Sequence, residues 1–430
     1  MQQLHTSQVF SRVVRATPTA LLNVIIALGI YNFGWGFADP FFSQFLRTFS
    51  DHYTVIGLLA AVINAITIVM VIPVGGLLER ISRRQVLDIG RLGYVCVGVL
   101  YVCAGAFHSL PLLVVALMCN GFFLPFVWTS VIATVESEST KENASMMYGF
   151  YTTMRQLLWA LGLLCALCLL PYIPLYGLFI PVIIFPLISF WYSRKLPDPQ
   201  ERASAARIAS ILLSPWMLLR SFYRDALQFP RELWIAYTIH FFVHMIYTAT
   251  IIFLPLYVVS QGHPMFLAGV LAFILTIPFI MSMLSSGLPQ AAEHWRMAAV
   301  GVAIFTVGFF GLSFFHTSFQ AIAFWGLCVM CGYACVIPAL GGIITATTPR
   351  PVIGTSSAMV DITEFGAALV AAPTIGFVID TFSWQNFFFS ITVYCGMLTL
   401  AVIAIRRAFR LADIRFMHRH PHMNKRPYVL

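Results

Sequence analysis

Hydrophobic residues occur in long runs along this chain, and short segments rich in charged and turn-forming residues separate the runs. An α-helix needs roughly 20 apolar residues to cross the hydrocarbon core of a bilayer. Runs of this length predict six spans in each half: 18–40, 54–78, 86–106, 110–134, 145–170 and 174–193, then 232–260, 265–288, 297–316, 318–346, 352–379 and 384–406. The pattern therefore predicts an all-α membrane protein with twelve transmembrane helices in two six-helix bundles.

A long polar stretch separates the two sets of spans. The predicted parts are an N-terminal six-helix bundle, a cytoplasmic central loop, a C-terminal six-helix bundle and a basic cytoplasmic tail, at 1–193, 194–231, 232–406 and 407–430. Within the loop, Trp216, Leu219 and Tyr223 would share one face of a short helix. Amphipathic helices of this kind lie in the membrane interface, so we expect a surface helix that tethers the two bundles.

The positions of the basic residues test the number of spans, because cytoplasmic loops carry an excess of Lys and Arg. With a cytoplasmic N-terminus, twelve spans place nearly all of the 25 basic residues on the cytoplasmic side. Arg47 is the exception among the loops, and Arg155 lies within a span. We therefore expect an integral protein of the plasma (inner) membrane with both termini in the cytoplasm. The net charge of +9 then faces anionic lipid, so nucleic acid is not an expected partner.

The composition excludes an ordinary soluble domain, since 60% of the residues are hydrophobic and 10% are charged, against about 25% charged residues in soluble proteins. The nine cysteines lie in predicted spans. Cys165 with Cys168 and Cys328 with Cys331 have the spacing of half a zinc site. Because no polar ligands accompany them, we interpret them as small packing residues. We expect no metal and no cofactor.

The segment after the second predicted span has a motif that carries chemistry. It resembles the signature loop of the major facilitator superfamily, in which a glycine, an acid and basic residues recur at fixed spacing. The matching residues are Gly75, Glu79, Arg80, Arg83 and Arg84. Glu79 stands where the family usually has Asp, and Ser82 where it usually has Gly. The resemblance implies that this loop, with Asp88 and Arg91 at the start of the third span, forms a conformational latch on the cytoplasmic side.

The resemblance extends along the chain. Asn120-Gly121 with Pro125, and Cys331-Gly332 with Pro338, are similar to corresponding stretches of the family's two halves. It implies two pseudo-symmetric bundles that rock about a substrate site near the membrane midplane, which is transport by alternating access. No phosphate-binding GxxxxGK[ST] motif occurs, so a built-in ATPase is not expected.

Charged residues within spans are costly and are therefore candidates for function. Asp361 and Glu364 lie on one helical face at i, i+3 spacing and form either a proton-coupling pair or a structural pair. Arg155 is a contact for an anionic substrate group or the partner of a carboxylate. Asp39 precedes Pro40 near the end of the first span, where an outer gate or a helix-ending cap is a better interpretation than coupling.

Polar and aromatic residues of the spans predict the lining of the substrate cavity. His240 and His244, at i, i+4 spacing, could relay protons or bind a metal, but without a third ligand packed histidines are favoured. The predicted lining residues are Tyr31, Asn32, Trp35, Trp128, Tyr151, Gln156, Tyr237, His240 and His244.

We therefore predict a monomeric, proton-coupled secondary transporter whose partners are a small organic solute, protons and the bilayer. The aromatic spans favour export of amphipathic compounds. The family's antiporter motif of proline and glycine is missing from the fifth span, however, which keeps uptake of a nutrient or organic anion as the alternative, with Arg155 as anion contact. A membrane-embedded transferase is a distant alternative, because the outer loops are short and no catalytic motif appears; we expect no catalytic residues.

Overall fold

The computed structural model describes residues 19–78, 80–138, 144–193, 203–204, 208, 210, 215–285, 291–349 and 352–419. Within these ranges all regular secondary structure is helical. The described residues divide into two compact units. The first contains the chain up to Phe49 and from Val62 to Arg224, and the second contains Ser50–Ala61 and the chain from Asp225 onward.

The first unit is built from the helices of the N-terminal half. They are α1 (Thr19–Ala38), α2 (Phe42–Arg47), α3 (Tyr53–Leu78), α4 (Arg83–Ala106), α5 (Leu110–Glu138), α6 (Ala144–Leu169), α7 (Ile180–Ser193) and α8 (Pro215–Ala226). The 3-10 turns Asp39–Phe41 and Leu175–Phe179 precede α2 and α7. α3 begins in the second unit and continues into the first.

The ends of these helices follow from local chemistry. α1 ends before Pro40, because proline lacks a backbone N–H and restricts the residue before it. α4 begins after Ser82, whose hydroxyl oxygen accepts a hydrogen bond from the Gln85 backbone N–H at 3.3 Å. α1 and α6 pack closely where Gly36 faces Gly162, since a Cβ on Gly162 would meet the Phe33 carbonyl oxygen.

The helices of the second unit follow the same order as the predicted spans. They are α9 (Arg231–Thr248), α10 (Leu254–Ser260), α11 (Met265–Ser285), α12 (Ala291–Phe314), α13 (Phe319–Thr347), α14 (Ile353–Phe382) and α15 (Trp384–Arg419). The π-helical segment Ala249–Phe253 joins α9 to α10. Its wider turn lies just before Pro255, which cannot donate to the preceding turn.

The prediction of an all-α membrane fold is confirmed. Ten helical stretches among the described residues are long and apolar enough to cross a membrane, and a helix lies on each of the predicted spans. The count of twelve spans and the domain boundaries stay predictions. α15 extends beyond the predicted end of the last span at 406 and reaches Arg419, because no proline or glycine interrupts that segment.

α8 occupies the segment predicted as a surface helix. Leu218 is buried in a cluster with Val74, Leu77 and Phe126, while Trp216, Leu219 and Tyr223 are exposed. The helix therefore packs on the first unit by one side and presents an apolar face on another. Its location at the membrane surface remains a prediction.

Candidate functional site

Aromatic side chains of α1, α4 and α5 meet inside the first unit. The Trp35 indole N–H donates to the Tyr31 hydroxyl at 2.7 Å, as residues one turn apart on a helix can. The Tyr31 ring meets the rings of Tyr94 and Trp128 edge-to-face, with centroids 5.2 and 6.3 Å apart. We call Tyr31, Trp35, Tyr94 and Trp128 the first aromatic cluster.

Arg155 lies beside this cluster. Its guanidinium carbon is 4.3 Å from the centroid of the Trp128 ring, which is a cation–π contact between α6 and α5. A guanidinium carries its five N–H donors in one plane, in an arrangement that matches a carboxylate. The structure thus brings together three residues of the predicted cavity, Tyr31, Trp35 and Trp128, with the predicted anion contact.

A buried polar chain continues from the first aromatic cluster. The Tyr94 hydroxyl donates to the Asn120 side-chain oxygen at 2.9 Å, and the Asn120 amide donates to the Tyr101 hydroxyl at 2.9 Å. Sequence reasoning did not assign Tyr94 or Tyr101 to the site. Tyr94 and Tyr101 are seven residues apart, which places them two turns apart on one face of a helix. This spacing could have indicated from the sequence that they act together.

The other predicted residues of the first unit have different surroundings. Asn32 is buried, and its amide donates to the Leu28 carbonyl of its own helix at 3.0 Å. Tyr151 and Gln156 are buried on α6. The Asp39 carboxylate accepts a hydrogen bond from the Trp159 indole N–H at 3.0 Å and interacts electrostatically with Arg155. Asp39 therefore links the end of α1 to α6.

Among the residues predicted to form the latch, those at the start of α4 form a buried ionic group. The Asp88 carboxylate accepts a hydrogen bond from the Ser193 hydroxyl at 2.9 Å and forms ion pairs with Arg91 at 3.5 Å and Arg84 at 3.9 Å. Arg91 is fully buried, whereas Arg80 is exposed. Gly75 and Arg83 are half-buried, and Glu79 lies outside the described residues. The latch role of these residues remains a prediction.

The second unit contains a hydrogen-bonded pair of histidines on α9. Nε2 of His244 lies 3.1 Å from Nε2 of His240, and Nδ1 of His240 lies 2.9 Å from the Thr363 hydroxyl oxygen on α14. The Tyr333 hydroxyl oxygen on α13 lies 3.2 Å from Nε2 and 3.4 Å from Nδ1 of His244. One turn before the pair, Tyr237 hydrogen-bonds the Ser356 hydroxyl at 2.6 Å. Sequence reasoning found both histidines but neither Thr363 nor Tyr333.

Two aromatic rings lie against His244: the centroids of the Tyr247 and Tyr333 rings are 5.9 and 5.5 Å from that of its imidazole. Tyr247 stacks on Tyr333 with ring centroids 4.5 Å apart, and Phe279 meets the Tyr333 ring edge-to-face at 5.2 Å. We call Tyr247, Phe279 and Tyr333 the second aromatic cluster. None of the three was predicted, because apolar spans are rich in such rings and spacing alone does not single them out.

The predicted acidic pair lies on α14, the helix that packs against α9. Asp361 is buried, with 5% of its surface exposed, and Glu364 is half-buried. Glu364 interacts electrostatically with His240. The structure therefore places the predicted coupling residues and the histidine pair in one region of the second unit.

An unpredicted carboxylate caps the start of α3. The Asp380 carboxylate accepts hydrogen bonds from the backbone N–H groups of Tyr53 at 3.0 Å and Thr54 at 2.8 Å, and from the Thr54 hydroxyl at 2.7 Å. Helices α3 and α14 approach closely at this point, because a Cβ on Gly57 of α3 or Gly376 of α14 would meet the backbone of the other helix.

Two other features of the described residues bear on ligand binding. A groove of about 230 Å³ on α1, α6 and α7 is lined only by apolar side chains, among them Ile26, Met154 and Phe185, and contains no predicted site residue. In the part of the chain that the structure describes, no three His, Cys, Asp or Glu side chains come together as a metal site.

Comparison with known proteins identifies the family. The sequence model of the Major Facilitator Superfamily matches residues 24–364. The crystal structure of the human organic anion transporter MFSD10 (TETRAN) has a TM-score of 0.71 at 13% identity and covers 91% of this chain and 100% of that chain. A mutant of the nucleoside transporter NupG has a TM-score of 0.66 at 12% identity and covers 90% and 99%. No curated protein matches the chain. Because the family match extends over most of the sequence, this chain belongs to the major facilitator superfamily.

Proposed function

We propose that this transporter moves a small organic anion with an aromatic or apolar group, by alternating access and in a proton-coupled cycle. Membership of the superfamily already makes the chain an integral membrane transporter of small solutes rather than an enzyme. The proposal adds the class of solute and the coupling ion.

The observation that carries the solute class is the position of Arg155 over the Trp128 ring. A guanidinium held within a membrane span is costly unless an anion or a ring system compensates it. The contact with Trp128 stabilises the charge by about 1–2 kcal/mol. A planar guanidinium can bind a carboxylate through two parallel hydrogen bonds. In the first aromatic cluster, the half-buried ring of Trp35 supplies apolar surface.

Proton coupling is supported by the acidic pair on α14. Asp361 is buried within the predicted eleventh span, and Glu364 follows one turn later. A carboxylate in this environment must bind a proton or a cationic partner, and a change between those two states is what coupling requires. The pair also lies near two buried histidines, so the region can hold protons on more than one group.

Export of amphipathic compounds is a second candidate. Both aromatic clusters bring rings together with few charged groups, which suits a solute held mainly by apolar contacts. The two candidates differ in what they require of Arg155: an organic anion needs its charge, whereas a neutral amphipathic solute does not.

The orientation completes the proposal. We place both termini, the signature loop and α8 on the cytoplasmic side of the plasma (inner) membrane, and we expect a monomer. The excess of basic residues in the predicted cytoplasmic segments supports this orientation. Labelling of single introduced cysteines from either side of sealed vesicles checks it.

Transport by the purified full chain in proteoliposomes tests the solute class. Benzoate, phenylacetate and indole-3-acetate are compared with the neutral amides of the same shape, with and without an imposed pH gradient. We expect accumulation of one or more of the carboxylates, driven by the gradient, and none of the amides. Arg155→Gln should weaken carboxylate transport by at least about tenfold, since a charge-assisted hydrogen bond contributes about 1.5–3 kcal/mol.

Arg220→Gln is the matched control, because it removes the same charge from an exposed position on α8. Equal transport of carboxylates by the wild type and by Arg155→Gln would refute the assigned role of Arg155. Transport of the amides by both proteins would favour the amphipathic alternative.

A further inference from the structure

We propose that Asp39 takes up a proton when the solute anion binds at Arg155, and that this proton crosses the membrane with the anion. The proposal rests on the proposed function, from which it takes the anion and its contact Arg155. It adds the residue of the first unit that receives the proton, and it predicts that proton and anion move in the same direction.

The carboxylate of Asp39 faces the helix that carries the anion contact. Its Oδ2 atom accepts a hydrogen bond from the indole N–H of Trp159 on α6, with 3.0 Å between nitrogen and oxygen. Trp159 lies one turn after Arg155 on that helix, so the two residues are neighbours on its surface. Asp39 also interacts electrostatically with Arg155 itself. The sequence favoured an outer gate or a helix-ending cap for Asp39, whereas the structure places its charge beside Arg155.

The packing of α1 against α6 keeps Asp39 at this level. A Cβ on Gly36 would meet the Trp159 carbonyl oxygen, and a Cβ on Gly162 would meet the Phe33 carbonyl oxygen. The two helices therefore touch through their backbones just before Asp39. Backbone contact of this kind resists sliding of one helix along the other, so the carboxylate stays close to Trp159 and to the turn that carries Arg155.

An anion that binds at Arg155 brings a second negative charge close to Asp39. Two neighbouring negative charges destabilise each other, which favours the protonated form of the carboxyl group. A proton on Asp39 removes the repulsion and makes the carboxyl group a hydrogen-bond donor. Because linkage is reciprocal, proton and anion strengthen each other's binding by the same factor. The repulsion depends only on the two negative charges, whatever other contacts Arg155 makes.

The proton binds at Oδ1 of Asp39. Oδ2 already accepts the Trp159 indole N–H, and an indole nitrogen can only donate. A proton on Oδ1 leaves this hydrogen bond in place, whereas a proton on Oδ2 would compete with it. Asp39 is exposed and lies at the predicted outer end of the first span, so the proton is taken from water there and is released to water on the other side.

The other titratable groups around Asp39 keep one protonation state in the physiological range. Three phenols interact electrostatically with it, those of Tyr31 on α1 and of Tyr94 and Tyr101 on α4. Phenols are neutral below about pH 10, so these three neither repel the anion nor release protons. Arginine does not lose its proton in proteins, so Arg155 and Arg47, at the end of α2, stay charged. Among these groups, the proton exchange therefore belongs to Asp39.

Calorimetric titration of the purified full chain in detergent with benzoate, phenylacetate and indole-3-acetate tests the site. Titrations in buffers with different heats of ionisation count the protons taken up. With the wild type we expect about one proton per carboxylate at the pH of greatest uptake, and an affinity that falls by up to about tenfold per pH unit as the pH rises. Asp39→Asn should bind the carboxylates with a constant affinity and without proton uptake.

Two further variants separate this role from a structural one. Asp51→Asn is the matched control, because Asp51 is an exposed acid outside the site, and it should behave as the wild type. Trp159→Phe removes the hydrogen bond that stabilises the charged form of Asp39. It should keep the proton uptake and move the fall in affinity to higher pH. A merely structural role of Asp39 would lower the affinity equally at every pH. Proton uptake by Asp39→Asn equal to that of the wild type would overturn the proposal.

Transport in proteoliposomes distinguishes a failure of this proposal from a failure of the proposed function. Asp39→Asn should lose accumulation of the carboxylate driven by the pH gradient, yet retain exchange of labelled for unlabelled carboxylate at equal pH. If the wild type and Asp39→Asn both accumulate carboxylate with the gradient, the role of Asp39 is wrong while proton coupling stands. If the wild type binds none of the three carboxylates or does not respond to the gradient, the proposed function is wrong, and the role of Asp39 is wrong with it.

Discussion

The capping of α3 by Asp380 provides a direct test of the second unit. Asp380 accepts three hydrogen bonds, two of them from backbone N–H groups in the first turn of α3. These groups have no partner within the helix. A side-chain cap at a helix N-terminus contributes about 1 kcal/mol, and a negative charge there adds roughly 0.3–1 kcal/mol. Because Asp380 is exposed, the lower part of the charge contribution applies.

We therefore expect Asp380→Ala to lower the free energy of unfolding by about 1–2 kcal/mol. Asp380→Asn retains an oxygen acceptor without the charge, so it should lose less than Asp380→Ala does. Thermal unfolding of the purified chain in one detergent, followed by cysteine accessibility, measures the ranking. Asp51→Ala is the control, since Asp51 is an exposed acid close to the same helix start and should have almost no effect. Equal stability of Asp380→Ala and wild type would refute the capping argument.

Two further substitutions follow from buried contacts. Asp88→Asn should destabilise the first unit by about 3–5 kcal/mol, because it leaves the buried Arg91 guanidinium without its counter-charge. Denaturant titration measures this loss. The double variant Asp88→Asn with Arg91→Met should be more stable than Asp88→Asn alone. Gly162→Val should prevent recovery of folded protein from the membrane, since the valine side chain would meet the Phe33 carbonyl. Gly341→Ala should not, since nothing lies within 4 Å of a Cβ at that position. Equal size-exclusion profiles of the two variants would contradict the packing argument.

Part of the candidate site was accessible from the sequence because its residues are neighbours on one helix. Tyr31 and Trp35 are four residues apart, as are His240 and His244, and both pairs are hydrogen-bonded. Helical spacing alone predicts such neighbours. Charges within spans were also identifiable, because the bilayer makes them rare.

The long-range contacts were not accessible in the same way. His240 meets Thr363 across 123 residues and Tyr53 meets Asp380 across 327, and nothing in a run of apolar residues shows how one helix is rotated against another. Tyr94, Tyr101 and Asn120 form a chain only because α4 and α5 pack with these residues facing each other.

The sequence by itself determined that the chain is a helical membrane protein with helices at the observed places, since lipid offers no partner for backbone N–H and C=O groups and every span must satisfy them internally. Its signature loop also identified the family. The tertiary structure decided which groups on different helices are partners: Arg155 with Trp128, Asp88 with Ser193, and His240 with Thr363. Such pairs depend on the rotation and depth of each helix, and these are set by packing between helices that hydropathy does not encode.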